Sequence, residues 1–425
     1  MRQRLVGGTL GLAAAALGAT ATRAVKHRRV AAQGYSLRPA PAVTDPEFEH
    51  LLEALTGEGV TSGNAVTILR NGCRIFPAML DAIRGAARTI DFATYVYWTG
   101  SIADEFVDAL EERARAGVEV NVLLDAVGAA KMDRALVERL RAAGVVVAWF
   151  RPPRWYSTHK LDNRTHRKIL VVDGRVGFTG GVGIAQEWTG DCEDRDHWRD
   201  THLRVEGPAV RGLYGGFLEN WVEATRTILA GAHLPPLPPD QGGVRAHVTR
   251  SSASSGSTEA EELFYLAIAS ARERLWLTSA YFAPRSAFVS ALVAAAQRGV
   301  DVQLLVNGSA TDKDVVRQAG RRSYTALLEG GVRLHEYERT MLHAKIMTVD
   351  RSWATVGSTN MDNRSLAIND ELNISVFDTA IVAELDGHFE ADVRDAREID
   401  LRRWRQRSAL TRVKELLAGA VRQEL

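Results

Sequence analysis

Residues 164–181, RTHRKILVVDGRVGFTGG, and residues 341–358, MLHAKIMTVDRSWATVGS, carry the same spacing of side chains. In each, a His is followed two positions later by Lys, and five after that by Asp. The first copy is His166, Lys168 and Asp173; the second is His343, Lys345 and Asp350. A pair of small residues follows at a matching distance, Gly180–Gly181 and Gly357–Ser358. A chain of this composition produces one His-x-Lys-x4-Asp by chance about 0.01 times. Two copies with matched glycine steps therefore report an internal duplication, which constrains the architecture more than any other feature of the sequence.

The duplication extends well upstream of both motifs. FPAMLDAIRGAARTIDFATYVY (76–97) resembles ELFYLAIASARERLWLTSAYF (262–282), each a helix-period segment followed by a β-rich run ending near Tyr95 or Tyr281. FVDALEERARAGVEVNVLLD (106–125) and FVSALVAAAQRGVDVQLLVN (288–307) each read as an amphipathic helix, a glycine stop at Gly117 or Gly299, and a buried strand. LRAAGVVVAWF (140–150) and LLEGGVRLHEY (327–337) repeat helix, glycine and strand once more. Such alternation predicts two α/β/α sandwich halves with much of the sheet parallel. The Pro- and Gly-rich HLPPLPPDQGG (233–243) marks the seam between them. We divide the chain into an N-terminal segment (1–40), a first half (41–235) and a second half (236–425). About ten residues of the first half, within PPRWYSTHKLDN (152–163), have no counterpart in the second and are placed to overhang the first motif.

The residues after each motif lysine are apolar and β-branched, so both segments read as strands. On a strand, positions i and i+2 share a face. His166 and Lys168 therefore project together, as do His343 and Lys345, offering imidazole and ammonium to an anionic group such as a phosphate. Asp173 and Asp350 complete the motifs but fall on the opposite face, so we read them as mainly structural, fixing the loop after each strand. The lysines are informative because they are scarce. Of 53 basic residues only seven are lysines, leaving 46 arginines. Lys is a compact charge with three donors, whereas Arg is a longer planar fork. A chain that uses Arg almost everywhere has kept Lys at the equivalent position of both motifs.

Net charge is +1, so no global field draws the chain to nucleic acid. Cys73 and Cys192 match no metal or disulfide pattern and read as free thiols. The uncharged run Leu5–Thr22 follows Arg2 and Arg4 and precedes Arg23, Lys26, Arg28 and Arg29. Its 18 residues would span about 27 Å as a helix, just short of a hydrocarbon core. Either a retained membrane anchor or a cleaved signal peptide ending at Ala19–Thr20–Ala21 fits it. The basic segment 401–425, with Trp404, Val413, Leu416 and Leu417, is suited to lie on anionic lipid or to pack on the second half.

Two HxKxxxxD motifs with their GG and GS steps resemble the phospholipase D superfamily. HRKILVVDGRVGFTGG, WRDTHLRVEGPAV, TSAYFAP and MLHAKIMTVD with GSTNMDNRS are most similar to bacterial cardiolipin synthases. The resemblance covers about residues 70–390. It implies that the halves face each other and pool their motifs in one site. His166 would attack phosphorus to form a phosphohistidine, and His343 would act as acid and base. Lys168 and Lys345 would bind the nonbridging oxygens, with Asn360 a further phosphate contact. Gly180, Gly181, Gly357 and Ser358 would let the backbone approach the substrate. Glu371 in NDELN and Asp200 in WRDTH are the carboxylates available to hold the far nitrogens of the histidines. No metal or cofactor is implied. The sequence departs from the family at Gly183, where an Asn is usual, so one amide donor is missing.

The resemblance implies a transferase that joins two phosphatidylglycerols, or a related phospholipid pair, at the bacterial plasma membrane. A phosphodiesterase using water as acceptor, on phospholipid or nucleic acid, would share the chemistry. A third, non-enzymatic reading is a lipid-binding scaffold with a dead site, which the intact His and Lys pairs oppose. Near-neutral charge and the N-terminal segment favour phospholipid, and no nucleic-acid partner is expected.

Overall fold

The computed structural model describes residues 35–37, 39–153, 163–236, 240–252, 258–408 and 415. The N-terminal run Leu5–Thr22, the overhanging loop from 154 to 162, and Val413, Leu416 and Leu417 lie outside these residues. Among the described residues no helix is long and apolar enough to cross a membrane.

The first half contributes β1 (Thr61–Arg70), β2 (Thr89–Thr94), β3 (Glu119–Asp125), β4 (Val146–Phe150), β5 (Ile169–Val172), β6 (Val176–Gly180) and β7 (Thr201–Glu206). The second half opens with β8 (Val244–Ser252), β9 (Arg274–Ser279), β10 (Phe282–Ala283), β11 (Asp301–Asn307) and β12 (Arg333–Tyr337). It continues through β13 (Lys345–Val349), β14 (Trp353–Gly357), β15 (Met361–Asp362), β16 (Asp370–Phe377) and β17 (Ala396–Glu398). All but β10 and β15 join one 15-stranded sheet. Outward from its centre the first half runs β1-β7-β6-β5-β2-β3-β4, and the second runs β8-β16-β14-β13-β9-β11-β12-β17. The seven strands of the first order correspond in turn to the first seven of the second about the antiparallel β1–β8 seam, with β17 added at the outer edge, so the sequence duplication appears as a pseudo-twofold axis. Gly117 and Gly299 stop equivalent helices at φ 92° and 95°, a conformation costly for other residues.

Parallel pairing is narrower than the helix–strand alternation predicts. In the main sheet it is confined to β2–β3–β4 and β9–β11–β12, the strands joined by crossover helices. The motif strands β5 and β13 instead enter hairpins with β6 and β14, and every remaining ladder is antiparallel. The turns after the motifs are short, and short connections can only reverse a strand.

Side chains alternate between two faces of the sheet. One face of the first half packs Phe92, Val122 and Leu170 against helices Gly72–Arg84 and Ser101–Arg115. The equivalent face of the second half packs Leu277, Leu304 and Met347 against helices Glu259–Ser270 and Ser286–Gln297. The opposite faces share a cluster that includes Ile169, Leu203, Phe217, Ile346, Ile374 and Phe389, drawn from both halves. Residues 46–56 lie in the first half by the sequence boundary, yet their helix packs on the second: Phe48 meets Trp353 with ring centroids 5.7 Å apart. Trp404 is buried against Tyr324, so the described start of the C-terminal segment packs on the second half.

The motif aspartates sit at the far ends of β5 and β13. Asp173 accepts from the amides of Ala87, Arg88 and Thr89, and Asp350 from those of Arg272, Glu273 and Arg274. Both adopt positive φ, 53° and 48°, which Asp tolerates better than most residues. Each pins the loop that feeds the neighbouring strand, β2 or β9. This is the structural part assigned to them above, and neither lies among the reacting groups.

Candidate active site

The other ends of β5 and β13 meet the starts of β16 and β7 across the pseudo-twofold axis. Two isolated parallel bridges make the junction, Thr165 with Asp370 and Arg199 with Leu342. The His166 amide donates to the Asp370 carbonyl at 2.9 Å, and the His343 amide to the Arg199 carbonyl at 2.7 Å. The residue after each bridge is a carboxylate, and the carboxylate is thereby set against the histidine of the other half. His166 Nδ1 lies 3.0 Å from both oxygens of Glu371, and His343 Nδ1 lies 2.8 Å from Asp200 Oδ2. The sequence had offered these carboxylates without assigning them; the pairing crosses the halves. With each Nδ1 held by a carboxylate, Nε2 is the ring nitrogen turned away from it.

Buried arginines make the crossing rigid. Arg199 is fully buried and forks onto Asp392, with Nη1 bonded to Thr201 Oγ1 at 2.8 Å. Arg167, between the first motif's His and Lys, points to the other strand face and donates to the carbonyls of Gly216, Ser251 and Glu371. A planar, delocalised cation can satisfy several fixed carbonyls, a task for which Lys is poorly shaped.

Lys168 and Lys345 are 3% and 2% exposed. Lys168 Nζ donates to the His166 carbonyl at 2.7 Å, and Lys345 Nζ lies 3.0 and 3.2 Å from the ring nitrogens of His343. Burial and the neighbouring lysines hold both imidazoles well below their ordinary value. Burial, then Lys345, pushes Lys168 well below the usual lysine range, and burial brings Lys345 to about 8. Burial also raises Asp200, and takes Glu371 to about 7 against the opposing pull of Lys168. Burial thus works against charge on all of these groups, and a bound anion would favour the protonated lysines.

The glycine steps contact protein. A Cβ on Gly181 would lie 2.2 Å from Asp200 Oδ1, so glycine makes room for the carboxylate behind His343. At the equivalent position Ser358 donates through Oγ to Glu371 behind His166. Gly180 and Gly357 pass equally close to the carbonyls of Thr201 and Leu372. Gly181 and Ser358 therefore support the carboxylates and Gly180 and Gly357 the backbone beside them, a different contact from the substrate approach the resemblance implies. Asn360 is buried, with its Oδ1 accepting from the Tyr281 amide at 3.2 Å and its Nδ2 donating to Ser365. Its counterpart Gly183 has no space for an amide, because a Cβ would lie 2.6 Å from Val96 Cβ.

His166, Lys168 and His343 open into one cavity of about 280 Å³. Its walls add Tyr95, Trp98, Val127 and Lys131 from one side, Tyr281, Asp312 and Lys313 from the other, with Trp188 and Trp198. Tyr95 meets His166 edge-on at 5.2 Å, and Trp188 meets His343 at 5.1 Å while donating its indole N–H to Asp200 at 2.9 Å. Of these residues the sequence analysis named only Tyr95 and Tyr281, as ends of β-rich runs. The scarcity of lysine was a signal for two more. The described residues contain four lysines, and three line this cavity while the fourth, Lys345, lies against His343.

The comparisons agree with this geometry. The family profile described as "Cardiolipin synthase, PLD-like domain" matches residues 79–194 and 265–393, one region in each half. A cardiolipin synthase of Geobacillus thermodenitrificans is 36% identical over 369 residues, covering 86% of this chain and 73% of its own. A cardiolipin synthase of Halalkalibacterium halodurans is 36% identical over 373 residues, with the same coverages. A probable cardiolipin synthase of Bacillus subtilis is 32% identical over 362 residues, 84% of this chain and 72% of its own. Among solved structures, the phosphatidylserine synthase of Haemophilus influenzae superposes with a TM-score of 0.64 over 89% of this chain and all of its own. At 14% identity that likeness speaks for the fold. With two matched regions that coincide with the duplicated halves, the chain belongs to the phospholipase D-like family of bacterial cardiolipin synthases.

Proposed function

We propose that the protein is a phosphatidyltransferase that joins two phosphatidylglycerols into cardiolipin and releases glycerol, through a phosphohistidine on His166. One observation carries the reading. Two imidazoles, each oriented by the other half's carboxylate, open into a single cavity with lysines beside both. In the first step His166 Nε2 forms a bond to the donor phosphorus. The bond from phosphorus to the glycerol oxygen breaks, and that oxygen takes a proton from His343, which enters the step as the imidazolium between Asp200 and the bound phosphodiester. In the second step the acceptor's hydroxyl oxygen bonds phosphorus and gives its proton to His343. The P–N bond breaks with its electron pair returning to His166. Two phosphatidylglycerols thus become one cardiolipin and one glycerol. Splitting the displacement lets each step use the same acid–base group. Lys168 and Lys345 stabilise the charge on the nonbridging oxygens.

The cavity suits a lipid head group presented from a membrane. Val127, on its wall, is 44% exposed, an apolar contact beside a cationic mouth. The test is a product balance. Full-length protein in mixed micelles of phosphatidylglycerol is expected to release one glycerol per cardiolipin formed. Phosphatidic acid as the main product, with glycerol release and no cardiolipin, would show that water is the acceptor and would overturn the transferase reading.

A further inference from the structure

The two cavity lysines outside the motifs are themselves a symmetric pair. Lys131 follows the last residue of β3, Asp125, by six positions, and Lys313 follows the last residue of β11, Asn307, by six. The strands are equivalents, so the pseudo-twofold axis relates Lys131 to Lys313 as it relates Lys168 to Lys345. Both are exposed, whereas the motif lysines are buried, which places them at the cavity mouth above the histidines.

Each ammonium rests on an aromatic platform. Lys131 Nζ sits 4.0 Å from the ring centroid of Trp98, and Lys313 Nζ sits 4.6 Å from that of Tyr281. The platforms are fixed in turn. The Trp98 indole donates to the Gly128 carbonyl at 2.9 Å, and the Tyr281 hydroxyl donates to Asp312 at 2.8 Å. A ring positions a cation without neutralising it. Among the described residues neither lysine forms an ion pair, although carboxylates elsewhere are paired repeatedly with arginine. The two cations are held in place with their N–H donors uncommitted. The field of Lys313 reaches the reacting groups and contributes to the depressed values of His166 and His343.

We propose that Lys131 and Lys313 form a second anion site that binds the phosphodiester of the acceptor lipid. This rests on the transferase reading above and adds how the acceptor is chosen. The donor's phosphate occupies the histidine tier. An acceptor phosphatidylglycerol brings a second phosphodiester, joined to its attacking hydroxyl by a three-carbon glycerol unit. Water and free glycerol bring none. A cationic tier at the mouth therefore holds the charged acceptor with its hydroxyl directed inward, and gives neutral competitors no such advantage.

The experiment compares two acceptors in one reaction. Full-length enzyme is supplied with dihexanoyl-phosphatidylglycerol as dispersed monomers, which removes membrane binding as a variable, together with labelled glycerol. Transfer to the lipid gives short-chain cardiolipin; transfer to glycerol gives labelled phosphatidylglycerol. Because both products arise from the same intermediate, their ratio reports acceptor choice alone. Lys131→Gln and Lys313→Gln are each expected to lower the ratio of cardiolipin to labelled lipid about fivefold, and together by more than about tenfold, at low salt. Lys131→Arg with Lys313→Arg is expected to restore the ratio to within about threefold of wild type, since the charge returns. An unchanged ratio in the double Gln variant, or failure of the Arg variant to restore it, would overturn the second anion site. Wild-type enzyme that transfers to neither acceptor would instead overturn the transferase reading, and this inference with it.

Discussion

His166→Ala and His343→Ala are each expected to lower kcat for cardiolipin formation by at least about 10⁴-fold, with the double variant no slower than the slower single one. The expectation follows from how the site is shared. Each imidazole comes from a different half, and each is oriented by a carboxylate from the half it does not belong to. Without the nucleophile there is no intermediate for the acid–base group to serve. Without the acid, the glycerol alkoxide leaves unprotonated, an expensive departure. The two losses therefore describe one unit, and their free energies do not add. Steady-state rates of the three variants in phosphatidylglycerol micelles provide the measurement. Near-normal turnover in either single variant would mean that one half is sufficient.

The next largest effect is expected from Glu371→Gln and Asp200→Asn, roughly 10²- to 10³-fold in kcat with KM changed by less than about threefold. An amide can present N–H to His166 Nδ1 and so reverse the tautomer, placing the ring proton on the nitrogen that must attack. It also withdraws the negative charge that stabilises an imidazolium. Asp200 carries more: the Trp188 indole and the Thr201 amide both donate to it, so an amide there leaves one donor facing another. The split between kcat and KM separates orientation from binding. A large rise in KM with kcat preserved would reassign these carboxylates to substrate recognition.

Much of the architecture was legible because a duplicated sequence must fold twice. The helix–glycine–strand triplets and the motif segments each appear in both copies, so one half checks the other. The extent of parallel pairing was overestimated because hydrophobic runs reveal buried strands without their direction. The direction of β5 and β13 is set by the hairpins that follow. The pairing of His and Lys on one side was legible from the alternation of an extended chain, although His166, Lys168 and His343 precede the strands β5 and β13 and only Lys345 lies within one. The place of Asp173 and Asp350 was legible from their odd spacing. The crossing of Glu371 to His166 and Asp200 to His343 was not legible, since it depends on two backbone bridges between halves far apart in sequence. Gly181 was read as making space for substrate, whereas in the fold the space is filled by Asp200. Lys131 and Lys313 were visible as scarce lysines at equal distances from equivalent strands, yet only the cavity brings them together with His166 and His343.

The account stands most directly on which histidine becomes phosphorylated. A nitrophenyl ester of phosphatidic acid, labelled at phosphorus, has a leaving group that needs no proton. His343→Ala supplied with this donor is expected to release about one nitrophenolate per enzyme in a burst and then to stall, because the acceptor's hydroxyl finds no base. Denaturation at alkaline pH, which preserves a phosphoramidate, followed by peptide mapping should recover the label on His166. Label on His343 in the reciprocal His166→Ala variant, with none on His166 in His343→Ala, would contradict the assignment and exchange the roles of the two halves.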